Sequence, residues 1–143
     1  MRFVLATDGS LAARKAAAWY SEHLPHQEED VLFLVYVFPL PEDEEVYRGI
    51  LDLPHHPSDD RIQEVAEEIF QQTREALEPS EGTIHEALLV GNPAHEILEF
   101  ASTQNIDLIV VAGSGRTPRE EMCLGSVSNA LVHRSLSPVL VIR

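Results

Sequence analysis

The sequence predicts an α/β domain built on a doubly wound, five-stranded parallel sheet with helices on both faces. Three observations predict it. Short apolar runs alternate with segments of helical periodicity along the whole chain. The first run, RFVLAT, passes directly into Asp8, Gly9 and Ser10, and a later one, IDLIVVA, passes directly into Gly113. Glycine at a strand exit lets the backbone turn sharply and leaves N–H groups open, which suits an anion such as phosphate.

The elements follow in order. Residues 2 to 7 make the first strand, after which Ala13, Ala16, Ala17, Tyr20 and Leu24 recur on one helical face. The second strand, VLFLVYVF at 31 to 38, is almost wholly apolar and belongs in the middle of the sheet. A helix from about Asp59 to Leu77 carries a buried stripe of Ile62, Val65, Ala66, Ile69, Ala76 and Leu77. The third strand, Ile84 to Val90, contains His85 and Glu86, a mixture that fits a sheet edge. Asn92 and Pro93 supply an N-cap and a first-turn proline to a helix with Ala94, Ile97, Leu98 and Ala101 on its inner side. The fourth strand is IDLIVVA, the last helix starts near Ser126, and PVLVIR closes the sheet.

At 143 residues the chain is read as one domain, 1–143, with a core large enough to need neither disulfide nor structural metal. The single cysteine, Cys123, can make no internal bridge. No leader is evident and no apolar run approaches the roughly 20 residues of a membrane span, so a soluble cytoplasmic protein is expected. With 24 acidic residues against 10 basic ones, the formal charge of −14 should repel nucleic acid and anionic membrane. The segment from Pro39 to Ser58 is the one long interruption, with four prolines and an EDEE run. Segments of this length serve as lids or partner surfaces, or remain disordered.

Four stretches, VLATDGS at 4 to 10, VYVFPLP at 35 to 41, GNPAHEILEFA at 91 to 101, and VAGSGR through LGSVSNALV to SPVLVIR, resemble the universal stress protein family in order and spacing. The resemblance covers essentially the whole chain. It implies the strand order 3-2-1-4-5, an adenine-nucleotide alpha-hydrolase-like fold, and a crevice between strands one and four. It further implies a stress-response switch that binds ATP, with Mg²⁺ as a possible companion, and a homodimer joined through the terminal strand Pro138 to Arg143. An apolar terminal strand is a poor exposed edge, which agrees with pairing to a second copy.

The site residues implied by the resemblance are Ala6, Thr7, Asp8 and Val37 around the base and ribose, and Gly113, Ser114, Gly115, Arg116, Gly125, Ser126, Val127 and Ser128 around the phosphates. Asp8 and Ser10 equally suit a helix cap, Ser126 an ordinary N-cap, and Val37 a plain buried strand position. The ATP-binding branch has two residues between its first two glycines, whereas Gly113-Ser114-Gly115 has one. The following nine residues, Arg116 to Leu124, and the pair Gly125-Ser126 keep the family spacing. A non-nucleotide interaction module with a closed pocket is therefore one alternative, and a slow ATPase another.

Catalytic chemistry has little support. No serine or cysteine nucleophile has a recognisable base and orienting partner, and no residue is placed to activate water. A phosphoacceptor receiver would need an acidic pair after strand one and a lysine after strand five, yet the only lysine is Lys15 in the first helix. Neither GxGxxG after the first strand nor a Walker A loop is present. No metal site is expected: His55 and His56 lie beside Asp59 and Asp60 in an acidic segment, without a convergent ligand set.

Overall fold

A computed structural model describes residues 1–24, 26–40, 59–79, 81–113 and 124–143. Most of the proline-rich segment with His55 and His56, and Ser114, Gly115, Arg116 and Cys123, lie outside the described residues. The described elements are β1 (Arg2–Ala6), α1 (Leu11–His23), β2 (Val31–Pro39), α2 (Asp59–Ala76), β3 (Thr83–Gly91), α3 (Pro93–Thr103), β4 (Leu108–Ala112), α4 (Ser126–Arg134) and β5 (Val139–Ile142). All five strands join one sheet in the order β3-β2-β1-β4-β5, and every pairing is parallel. The expected order is the observed one.

Strand parity divides the core into two layers. Phe3 and Leu5 of β1 meet Ala16, Ala17 and Tyr20 of α1 and Ala66, Ile69 and Phe70 of α2 on one face. Val4 and Ala6 meet Ile97 and Ala101 of α3 and Leu131 of α4 on the other. The central strands are therefore covered on both sides, which is why β1, β2 and β4 read as continuous apolar runs. β3 occupies an edge, where His85 stacks on Phe33 at 5.5 Å between ring centroids and Glu86 pairs with Arg74 of α2. Its polar residues thus face solvent and partners at the rim.

The helix ends show why each helix begins where it does. Ser10 accepts from the Ala13 amide at 3.1 Å to cap α1, and Asn92 accepts from the His95 amide at 3.0 Å to cap α3, with Pro93 in the first turn. α4 differs. Its N-cap is Gly125, one residue before the serine expected there, and among the described residues no side chain caps it. Strand bounds differ from the expected ones by a residue or two; β4 starts at Leu108, and Ile106 before it is buried among α3 and α4 side chains.

Candidate functional site

The site is built where the sheet changes winding direction. β1 hands over to α1 on one face, whereas β4 hands over to α4 on the other, so the connections leave two neighbouring strands in opposite directions, the topology at which open α/β sheets offer a ligand crevice. Register places Leu5 of β1 beside Val110 of β4, so Ala6 through Asp8 and Ala112 through Gly113 occupy the same rim. Gly9 and Gly113 thus follow neighbouring strand ends on one rim of the sheet.

On the β1 side, Asp8 folds into a local turn in which its Oδ1 accepts from the Ser10 amide at 2.9 Å. Gly9 follows with φ +74°, a left-handed conformation, and a Cβ there would lie 3.0 Å from Ile69 Cγ1. The left-handed φ favours glycine, and the close approach to Ile69 leaves a side chain little room. Asp8 is half-buried, placed at the crevice by a turn that the following residues fix.

Thr7 takes another direction. Its side chain faces α2, where Thr7 Oγ1 lies 2.8 Å from Thr73 Oγ1. Thr73 Oγ1 donates to the Ile69 carbonyl at 2.8 Å, so its one proton is used and Thr7 is the donor of the pair. Thr7 Oγ1 in turn accepts from the Gly9 amide at 3.2 Å. Ala6 and Val37 instead belong to the α3–α4 layer. The sheet therefore separates the Thr7 hydroxyl from the two apolar candidates, and what Thr7 offers the crevice is main chain.

On the β4 side, the main chain ties the two ends of the 113–125 segment together. The Gly113 amide donates to Ile142 O at 2.8 Å, and the Gly125 amide donates to Gly113 O at 2.6 Å. Ser128, almost wholly buried, points its hydroxyl at the Gly113 and Gly125 carbonyls at 3.2 and 3.0 Å. One hydroxyl proton serves both acceptors, which makes Ser128 a clasp across the segment. A Cβ on Gly113 would meet Arg143 Cγ at 3.2 Å, so close packing against the β5 end favours glycine there. Ser126 is exposed and Val127 half-buried at the start of α4, whose first-turn amides have no side-chain cap.

Sequence reasoning missed Thr73, a buried polar residue inside a helix, and Asp30, whose carboxylate accepts from the Met1 ammonium at 2.5 Å and the Gln27 amide at 2.9 Å. Those contacts hold the Asp30 carboxyl below its ordinary range, the Met1 ammonium being the largest cause. Thr73 interrupts the apolar stripe of its helix, which is the signal that could have found it, whereas Asp30 ends the acidic run Glu28-Glu29-Asp30 and carries no such local signal. Among the described residues, His95, Glu96 and Glu99 bring potential ligand atoms within 4.8 Å of one another, but on an exposed helix face where such groups commonly remain solvated.

A model of the universal stress protein family matches residues 1–143. The chain belongs to the universal stress protein family. It is similar to a universal stress protein of Methanocaldococcus jannaschii, with 29% identity over 146 residues that cover 99% of this chain and 81% of the relative. Among solved structures, it resembles a universal stress protein from Archaeoglobus fulgidus in complex with dAMP, at TM-score 0.60 and 21% identity, covering 100% of this chain and 98% of that one. It also resembles a universal stress protein in complex with cAMP, at TM-score 0.59 and 21% identity, covering 100% and 97%. At such identity the structural likeness is one of fold. No described helix of this universal stress protein is long and apolar enough to cross a membrane.

Proposed function

We propose that this universal stress protein binds an adenine nucleotide in the crevice between β1 and β4, with ATP as the expected ligand, and works as a nucleotide-loaded switch in a stress response. The observation that carries the reading is the uncapped N-terminus of α4 at the point where the sheet changes winding direction. Among the described residues no side chain caps its first-turn amides, and these amides with the positive end of the helix dipole suit a phosphate. Complexes of relatives with dAMP and cAMP support the choice of an adenine nucleotide.

In this reading Ala6 and Val37 supply apolar contacts to the base, and Asp8 and the Thr7 main chain its polar ones. Ser126, Val127 and Ser128 supply phosphate amides, with Gly113, Ser114, Gly115 and Gly125 giving the backbone room and Arg116 a cationic partner. Phosphate binding between Gly113 and Gly125 would alter the surface offered to a partner. A divalent cation such as Mg²⁺ would offset repulsion from a molecule of formal charge −14. Any hydrolysis would be slow.

A second reading has its own observation. The direct Gly125–Gly113 bond and the Ser128 clasp draw the two ends of the segment together within the protein's own main chain, which favours a closed, non-nucleotide interaction module. Isothermal titration with Mg-ATP and with AMP separates the two. Saturable heat that disappears in a Gly125→Val variant supports the nucleotide site, whereas no heat and no thermal shift at millimolar ligand supports the closed module.

We further propose a cytoplasmic homodimer in which β5 pairs with its copy. β5 is apolar, half-buried and at a sheet edge, an arrangement that a second copy would cover. Charge introduced by Val139→Glu or Val141→Glu should yield monomers by light scattering, and an unchanged mass would locate the interface elsewhere.

A further inference from the structure

We infer that His26 is a proton-operated latch at the sheet rim opposite the nucleotide crevice: its neutral ring locks the connection between α1 and β2 onto the entry to β3, and its protonated ring releases it.

The lock is steric. A Cβ placed on Gly82 would lie 2.6 Å from both Cε1 and Nε2 of His26 and 2.7 Å from Gln27 O, so the ring lies flush against the backbone that leads into β3. The ring also meets Phe3 and Tyr20 edge-on, at centroid distances of 6.4 and 6.1 Å. Two aromatic rings and a glycine backbone thus form the seat. Main-chain bonds close the same corner: the Asp30 amide donates to Gln27 O, and the Thr83 amide donates to Asp30 O, both at 3.0 Å.

The seat suits a neutral ring better than a charged one. The Tyr20 hydroxyl beside it is buried, and burial holds that phenol in its protonated, uncharged form. Asp30 attracts an imidazolium, but each of its oxygens already accepts a hydrogen bond, one of them from the Met1 ammonium, which repels the same charge. Burial is the largest influence on His26, and it favours the neutral form.

A protonated ring has a place to go. Next to the seat is a half-open cavity of about 420 Å³ lined by His26, Tyr20, Leu77 and Ile84. Its remaining wall includes Glu22 and Glu78, Glu81 next to Gly82, and the half-exposed His23. An imidazolium that swings outward exchanges an apolar seat for water and an acidic rim. The 24–30 connection would then lose its hold on the start of β3.

The test follows the Thr83 amide by hydrogen exchange, corrected for intrinsic rate, and the His26 ring by NMR between about pH 7 and pH 5. Wild type should show His26 titrating below the ordinary value near 6.5, with Thr83 protection falling about tenfold or more over the same range. His26→Phe keeps the ring and removes the proton, so its protection should stay flat. Gly82→Ala should push the ring out at neutral pH and give the low-pH protection of wild type already at pH 7. The latch is refuted if His26→Phe retains the wild-type pH profile, if His26 titrates at or above its ordinary value, or if folded Gly82→Ala keeps full protection. Should Gly82→Ala fail to fold, the His26→Phe profile decides alone.

Discussion

Thr7 and Thr73 are separated by 66 positions in sequence, yet their hydroxyls are 2.8 Å apart and both side chains are buried. The proton order runs from Gly9 N–H to Thr7, from Thr7 to Thr73, and from Thr73 to Ile69 O. This chain fastens the tip of β1 to α2. Replacing Thr73 by valine keeps the shape but strands the Thr7 proton in a buried place, a change that costs about 1–3 kcal/mol. Urea unfolding of Thr73→Val should show a lower midpoint with an unchanged slope; an unaltered midpoint would mean that the Thr7 hydroxyl finds another acceptor. Gly9→Ala meets the same tip from the other side. Its left-handed φ and the 3.0 Å approach to Ile69 should cost about 1–2 kcal/mol, read in the same experiment.

At the scale of elements, α4 poses the sharpest contrast. α1 and α3 begin with a side-chain cap, and α4 begins with Gly125 in an extended conformation, φ −61° and ψ 162°, that any residue could adopt. An acidic cap would satisfy the first-turn amides and favour the helix dipole, a gain of a few tenths to about 1 kcal/mol. It would also put a carboxylate where the proposed phosphate rests. Gly125→Asp should therefore raise the melting temperature while abolishing nucleotide heat. Retained binding in that variant would remove α4 from the site. β3 illustrates the opposite case, in which polar residues inside a strand pattern were informative. His85 and Glu86 suit an edge, and the edge is where the strand lies.

For the whole molecule, acid is the expected weakness, and two groups set the windows. His26 is held below its ordinary value by burial, so the neutral form stabilises the fold; that contribution is complete above about 6.5 and declines as pH falls toward the folded value. Asp30 is held below its ordinary value by the Met1 ammonium and the Gln27 amide. Its contribution is complete above about 4 and is lost as pH falls through the folded value. Thermal melts should accordingly decline in two stages on acidification, and His26→Phe should erase the upper stage alone. A single decline confined to the carboxylate range in wild type would contradict the first window.

What the sequence determined by itself was the layered sheet, its strand order through family resemblance, the edge place of β3 and the caps at Ser10 and Asn92. These rest on local periodicity and capping chemistry, which a chain carries in neighbouring residues. The tertiary structure alone decided that Thr7 turns its hydroxyl to Thr73, that Gly125 and not Ser126 caps α4, that Ser128 clasps two carbonyls, and that His26 rests on Gly82. Each of those depends on atoms from segments that the sheet brings together, and no local pattern records which distant partner will stand opposite a given side chain.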